Sequence, residues 1–201
     1  MDFNADRASE ELTKVDLSGL EFTPNGWFSF GDSAMLYHFA KTAQRIVEVG
    51  CGYSTDIINQ VRQGSLVCID PEPRKDIEAT RIIQQPVQTV DPELIAECDL
   101  LFIDSSHIWA AGDLPFLYEQ VFPLLQKGTL VHSHDIFLPD DYSPAWQPRH
   151  YDEQYHLAAL LETDAFEVIW PGYWMATRHP EVTKKYLGTN TSMGSLWMVK
   201  C

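Results

Sequence analysis

The sequence predicts an α/β fold, a three-layer sandwich in which helices cover both faces of a mostly parallel sheet. Three observations predict it. The short runs Ile46–Val49, Leu66–Ile69 and Leu100–Ile103 are almost wholly apolar, as strands buried on both faces must be. Segments of helical periodicity alternate with such runs along the chain. And these three runs end on Gly50, Asp70 and Asp104, which gathers polar groups at the carboxyl ends of the strands, where open parallel sheets bind ligands. At 201 residues and 45% hydrophobic content the chain can bury one full core. One domain over 31–201 is therefore expected, preceded by an extension over 1–30 that closes over the ligand.

Each element follows from its residues. A helix over about Asp32–Thr42 takes Asp32 or Ser33 as N-cap and turns Met35, Leu36 and Phe39 inward. The strand Ile46–Val49 precedes a helix over Tyr53–Arg62, and the second strand ends at Asp70. Pro71 and Pro73 break the chain before a weak helix near Asp76–Ile82 and a short third strand at Pro86–Thr89. The fourth strand is Leu100–Ile103. A helix from Asp113 to Gln126 closes on Lys127-Gly128, a basic last turn and a glycine stop. The fifth strand is Thr129–His134, a helix spans Asp152–Glu162, and the sixth and seventh strands are Phe166–Trp170 and Leu196–Lys200. Between those two lies a long excursion, Pro171–Met193, with one short helix near Glu181–Tyr186.

The stretch from Glu48 to Ser54, Glu-Val-Gly-Cys-Gly-Tyr-Ser, carries the first functional signal. A buried strand meets Gly50 and Gly52, one residue apart, and a helix begins at once. Such glycines allow a sharp turn and a backbone close to a ligand. The next strand ends on Asp70, whose carboxylate can accept two hydrogen bonds from a ribose diol. Together they describe a pocket for an adenosine-containing cofactor. The third glycine of a dinucleotide fingerprint is replaced by Thr55, and no Gly-Lys-Ser/Thr ending marks a P-loop, which argues against a nicotinamide site and a nucleotide-phosphate site.

Two further strand ends concentrate ionisable groups. Phe102-Ile103-Asp104-Ser105-Ser106-His107 ends the fourth strand, and Val131-His132-Ser133-His134-Asp135 ends the fifth. If the two strands are neighbours, Asp104, His107, His134 and Asp135 converge on one point. His132 alternates into the sheet layer and reads as a structural histidine. The Pro- and aromatic-rich segment Ile136–His150 leaves from that point and reads as a lid.

The Gly50–Gly52 turn resembles motif I of the class I S-adenosylmethionine (SAM) dependent methyltransferases, with Asp70 in the place of their ribose-binding acid. The Phe102–His107 segment, the helix closing on Lys127-Gly128 and His132–Pro139 resemble the branch that methylates sugars and antibiotics. The resemblance covers about residues 26–200. It implies a Rossmann-like, seven-stranded, mostly parallel sheet with an antiparallel last strand, and SAM as cofactor. Glu48, Gly50, Gly52, Tyr53, Ser54, Asp70, Asp104 and Ser105 would bind it. It implies O-methylation of a small molecule, with Asp104, His107 and His134 as catalytic residues. Metal-dependent relatives hold a divalent ion at the ends of strands four and five, here Asp104, His134 and Asp135. A histidine in place of the amide of those relatives shifts preference from magnesium toward manganese, iron or zinc.

Composition bounds the partners. A formal net charge of −15 excludes an electrostatic partnership with nucleic acid or anionic membrane. The first residues lack the apolar core of a secretion signal, and no run approaches the ~20 apolar residues that span a bilayer. Cys51, Cys68, Cys98 and Cys201 show no Cys-x-x-Cys pairing and read as reduced thiols of a cytoplasmic protein. A small-molecule acceptor is the expected partner, and a homo-oligomer is open. Two alternatives stand beside the transferase. One is an iron-type oxygenase on the same fold, from two histidines and a carboxylate. The other is a SAM-binding partner subunit, against which the crowded polar strand ends argue.

Overall fold

The computed structural model describes residues 3–188 and 192–201. Seven strands form one sheet: β1 (Arg45–Val49), β2 (Ser65–Ile69), β3 (Arg81–Ile83), β4 (Leu100–Ile103), β5 (Leu130–Ser133), β6 (Phe166–Pro171) and β7 (Leu196–Lys200). Their order is β3-β2-β1-β4-β5-β7-β6. The first five are parallel, and β7 runs antiparallel between β5 and β6. The mostly parallel sheet with an antiparallel last strand is thus as the sequence predicts.

The helices are α1 (Ala5–Thr13), α2 (Phe30–Ala40), α3 (Tyr53–Val61), α4 (Pro92–Ala96), α5 (Asp113–Phe116), α6 (Glu153–Leu161), α7 (Gly172–Arg178) and α8 (Pro180–Leu187). One core lies between the sheet and α1, α2, α3, α7 and α8; it holds Leu12, Met35, Ile58 and Trp197. The other lies under α4, α5 and α6 and holds Ile95, Leu117, Phe122 and Leu157. Because the central strands are dry on both faces, they are apolar at most positions, Glu48 and His132 being buried exceptions, and that made them legible. The N-terminal segment contributes to the first core through Ala8 and Leu12, then runs to Trp27 and Phe28 at the carboxyl edge of the sheet.

Several elements depart from expectation. The cap of α2 is Ser29, whose hydroxyl accepts from the Asp32 N–H; Asp32 instead accepts from Gly194 and Ser195 N–H, tying α2 to the start of β7. No helix forms at Asp76–Ile82. That region carries β3, a three-residue edge strand opened by Arg81 and too short to invite edge pairing, and Val87–Thr89 is a 3₁₀ turn rather than a strand. The Asp113–Gln126 helix breaks up. It is α-helical to Phe116, widens to a π-turn over Leu117–Val121 and tightens to 3₁₀ at Phe122–Leu124, where Pro123 lacks an N–H. The excursion between β6 and β7 holds two helices, α7 and α8, where one was expected; its residues 189–191 lie outside the described residues. Among the described residues no helix is long and apolar enough to cross a membrane.

Candidate functional site

At the end of β1 the chain turns at Gly50, with φ +81°, a left-handed conformation that suits glycine. A Cβ there would stand 1.8 Å from the carbonyl oxygen of Asp104 on the neighbouring strand. Gly50 therefore lets the β1 and β4 ends lie side by side. Gly52 differs: a Cβ there would meet nothing within 4 Å, so its surface is left open to a ligand. Its N–H donates to Thr55 Oγ1 at 3.0 Å, and that hydroxyl donates on to Glu48 Oε2 at 2.8 Å. Thr55, in place of a third glycine, locks the turn.

Glu48 lies beneath the turn and off the cleft wall. It is fully buried and accepts from Ser54 Oγ at 2.6 Å, from Thr55, and from the Cys68 thiol at 3.3 Å. Burial raises its pKa to about 7, against the opposing pull of the three donors. It braces the loop from inside, where the resemblance implied cofactor contact. Below its ordinary pKa of 4.5 the carboxyl is neutral in both folded and unfolded chains. Between there and pH 7 only the unfolded chain ionises, so stability falls as pH rises through that window, by about 3 kcal/mol. Glu48→Gln should flatten the denaturant midpoint between pH 5 and 8; an unchanged slope would remove Glu48 as its source.

Above the turn lies a cleft of about 620 Å³, within the range of small-ligand and cofactor pockets. Gly50, Gly52, Tyr53 and Ser54 form one wall, Asp70 stands at the end of β2, and Asp104 and Ser105 stand at the end of β4. Asp70 Oδ2 accepts from Cys51 N–H at 2.9 Å and Oδ1 from Glu72 N–H at 2.8 Å. Each carboxylate oxygen keeps a lone pair for a diol. Trp27 reaches over the mouth and carries the Arg74 guanidinium 4.2 Å from its ring centre. Trp27 lies in the 1–30 extension, whereas nothing in the sequence signalled Arg74.

Asp104 also belongs to a second group of side chains. His107, with 2% exposure, places Nε2 3.1 Å from Asp104 Oδ1 and 3.8 Å from Asp135 Oδ2, while its Nδ1 meets Glu153 Oε2 at 2.8 Å. His107 and Asp135 both have left-handed backbones, φ +59° and +54°. Such strain in non-glycine residues gathers at functional sites. Burial opposes the imidazolium, but Asp104 and Glu153 outweigh it and hold the His107 pKa well above its ordinary value. Burial likewise works against the Asp104 carboxylate, yet His134 and His107 keep its pKa low. For Asp135 burial wins over both imidazoles and raises the pKa.

Residues 47–136 match a family model described as a methyltransferase domain. The match runs from β1 through the turn after β5, the part of the chain that holds the glycine turn, Asp70 and Asp104, and it supports a SAM-dependent methyltransferase. Among solved structures, N-methyltransferase NodS from Bradyrhizobium japonicum WM9 superposes with a TM-score of 0.51 at 11% identity, over 84% of this chain and 91% of that one. At that identity the likeness concerns the fold. EvdMO1 aligns at a TM-score of 0.41 and 16% identity, over 98% of this chain and 46% of that one. A 16S rRNA (adenine(1408)-N(1))-methyltransferase, a W203A mutant from Catenulisporales acidiphilia, aligns at 0.35 and 14% identity, over 92% and 95%. No curated protein sequence matches the chain.

The compact group of possible ion ligands is not the trio of Asp104, His134 and Asp135 that the resemblance implies. Among the described residues, ligand atoms of Asp104, His107 and Asp135 lie within 4.8 Å of one another; His134 is not the third corner. Its Nε2 is 3.7 Å from Asp135 Oδ1, its ring packs 5.0 Å from Phe28, and its Nδ1 is buried without a partner. Burial lowers the His134 pKa less than Asp104, Asp32 and Asp135 raise it, so the net direction is upward. His132 is fully buried, stacked 4.0 Å from Phe102, and desolvation keeps it neutral. Glu153 was missed because an acidic residue opening a helix is ordinary dipole chemistry. In the 136–150 segment Tyr142 is buried in an edge-to-face cluster with Phe137 and Tyr155 and serves as packing, whereas Tyr151, just beyond, lies 4.6 Å from the His107 ring.

Proposed function

We propose that the protein transfers a methyl group from SAM to a hydroxyl of a small molecule. The observation that supports this reading is the double position of Asp104, which lines the cofactor cleft on one side and joins His107 and Asp135 on the other. When bound, SAM supplies a methyl carbon made electrophilic by its sulfonium. A divalent ion, which the two carboxylates and the imidazole are placed to hold, would lower the pKa of the hydroxyl and orient it.

The chain's own residues do the rest. Asp70 takes the ribose hydroxyls, and Gly50 and Gly52 admit the cofactor close to the backbone. Trp27 and Phe28 close the N-terminal side and help exclude water. His107, one of the catalytic residues that the resemblance implies, has both ring nitrogens against carboxylates and would act by holding position rather than by taking the proton. His134, whose Nε2 lies 3.7 Å from Asp135 Oδ1, stands beside the group and would favour the Asp104 carboxylate by its charge when protonated.

One imidazole with two carboxylates differs from the two-imidazole, one-carboxylate triad of iron oxygenases, and the transferase is therefore preferred. The charge of −15 fits a neutral or cationic small acceptor. The four free thiols suit a reducing, cytoplasmic setting.

Purified protein incubated with methyl-labelled SAM and a panel of phenols, sugars and polyketide alcohols should release S-adenosylhomocysteine and yield a base-stable methyl ether. Label arriving on nitrogen or carbon, with no ether formed, would overturn the hydroxyl assignment while leaving the transferase intact.

A further inference from the structure

We infer that a thiophilic cation of the zinc and cadmium class binds to Cys51 Sγ, Cys68 Sγ and a Glu48 carboxylate oxygen, beneath the glycine turn, and that its occupancy opposes SAM. The cation site stands on these side chains alone; only the opposition to SAM rests on the reading above.

The two strand ends bring the ligands together. Glu48 and Cys68 are partners in the register of the β1–β2 pair, and Cys68 Sγ donates to Glu48 Oε2 at 3.3 Å. Cys51 follows Gly50, whose left-handed backbone turns the chain, and its thiol points back to donate to the Glu48 carbonyl oxygen at 3.7 Å. The two sulfurs and a Glu48 carboxylate oxygen lie within 4.8 Å of one another. Around one tetrahedral zinc, two thiolate sulfurs stand about 3.8 Å apart, and a sulfur and a carboxylate oxygen about 3.6 Å. The side chains need little movement to reach that geometry.

The chemistry of the set selects the ion. Paired thiolates prefer soft cations to magnesium or calcium. Glu48 is fully buried, yet its partners are two hydroxyls and a thiol, and no cationic side chain among the described residues pairs with it. A cation offsets the cost of a buried carboxylate. On entry the ion displaces both thiol protons to solvent, together with the carboxyl proton where one is present. Loss of the Cys68 S–H frees an acceptor position on Oε2. Ser54 keeps its bond to Oε1 and Thr55 its bond to Oε2, and these orient the carboxylate from behind.

Entry and consequence share one face. Cys51 lines the cofactor cleft, while Glu48 and Cys68 have no exposed surface. The ion enters past Cys51, and the fourth position that three protein ligands leave open takes a water on the cleft side. That water stands in the cofactor's space. The Cys51 N–H also donates to Asp70 Oδ2 at 2.9 Å, so drawing Cys51 onto the ion disturbs the carboxylate meant for the ribose.

The test uses Cd²⁺ on the full chain carrying Cys98→Ser and Cys201→Ser, kept reduced by a phosphine, without SAM or acceptor. Cys51 and Cys68 are then its only thiols. Titration should raise the ultraviolet thiolate-to-cadmium band to the amplitude of two thiolates, saturating at one Cd²⁺ per chain. The unmutated chain should give the same two-thiolate band, so the result does not hang on the variant folding. Adding Cys51→Ser or Cys68→Ser should halve the band, and Glu48→Gln should keep it but weaken binding by about tenfold or more. No band, a one-thiolate band in the double variant, or unchanged affinity in a folded Cys51→Ser chain would each overturn the site. Calorimetry should find SAM weaker by about tenfold or more once the band is saturated, within the usual span of coupling between sites; equal SAM affinity with the site filled would overturn the opposition. SAM binding to the unmutated, ion-free protein is measured separately, and its failure counts against the transferase reading and not against the cation site.

Discussion

Gly50→Ala is expected to lower SAM affinity more than 100-fold, about 2.7 kcal/mol or more. Two independent costs fall on that substitution. The backbone at Gly50 has φ +81°, where an L side chain is strained. The added Cβ would also stand 1.8 Å from the Asp104 carbonyl oxygen, far inside the 3.0 Å below which something must shift. What yields is backbone, because the Asp104 N–H donates to the Val49 carbonyl at 2.9 Å and couples the two strand ends. Relieving the clash therefore moves the cofactor turn and Asp104 together. Thermal unfolding should shift down by several degrees in the same variant. Gly52→Ala is the informative control: its φ of 172° is extended backbone and its Cβ meets nothing, so the fold should survive while the methyl group intrudes on the cleft. Calorimetry with SAM and a thermal melt on both variants decide it, and Gly50→Ala binding SAM like the unmutated protein would mean that the turn does not build the pocket.

The parts of this fold that could be read from sequence are those governed by local burial. The strands β1, β2, β4 and β5 are dry on both faces, so Val47, Leu66, Leu101 and Val131 announce them without any long-range information. β3 and the 117–124 segment could not be read in that way. β3 is an exposed edge held by its register with β2, and the helical segment changes pitch around Pro123 and the packing of Phe122. The site divides along the same line. Gly50, Gly52, Asp70 and Asp104 sit at strand ends, whose positions follow from the strands themselves. The choice between His107 and His134 depends instead on where α6 lands. Glu153 is separated from His107 by 46 residues, and nothing in either segment signals that one buried carboxylate will meet one buried imidazole. Glu48 is a different case. It stands where a cofactor contact was expected, but Ser54 and Thr55 turn their hydroxyls inward and consume its lone pairs.

Asp104→Asn is expected to reduce turnover roughly 100- to 1,000-fold, the range for removing a preorganised electrostatic group at a reacting centre, while SAM affinity falls no more than about tenfold. The substitution keeps shape and volume, so the cleft wall is preserved. It removes the anion that accepts from His107 Nε2 at 3.1 Å and that faces His134 and His107. An amide oxygen can still accept one hydrogen bond, yet it is a far weaker partner for an imidazolium and a poor ligand for a divalent ion. The acceptor would then lose both its orientation and the charge that favours its ionised form, and these losses are felt in the transition state more than in the ground state. Cofactor binding draws mainly on the glycine turn and Asp70, which the substitution does not touch. Single-turnover rates set against calorimetric SAM affinity separate the two effects. A variant that binds SAM tenfold or more weakly but turns over at an unchanged rate under saturation would make Asp104 a wall of the cofactor cleft and nothing more. A variant whose rate collapses with affinity intact would place it between donor and acceptor, where the ends of β1, β4 and β5 meet.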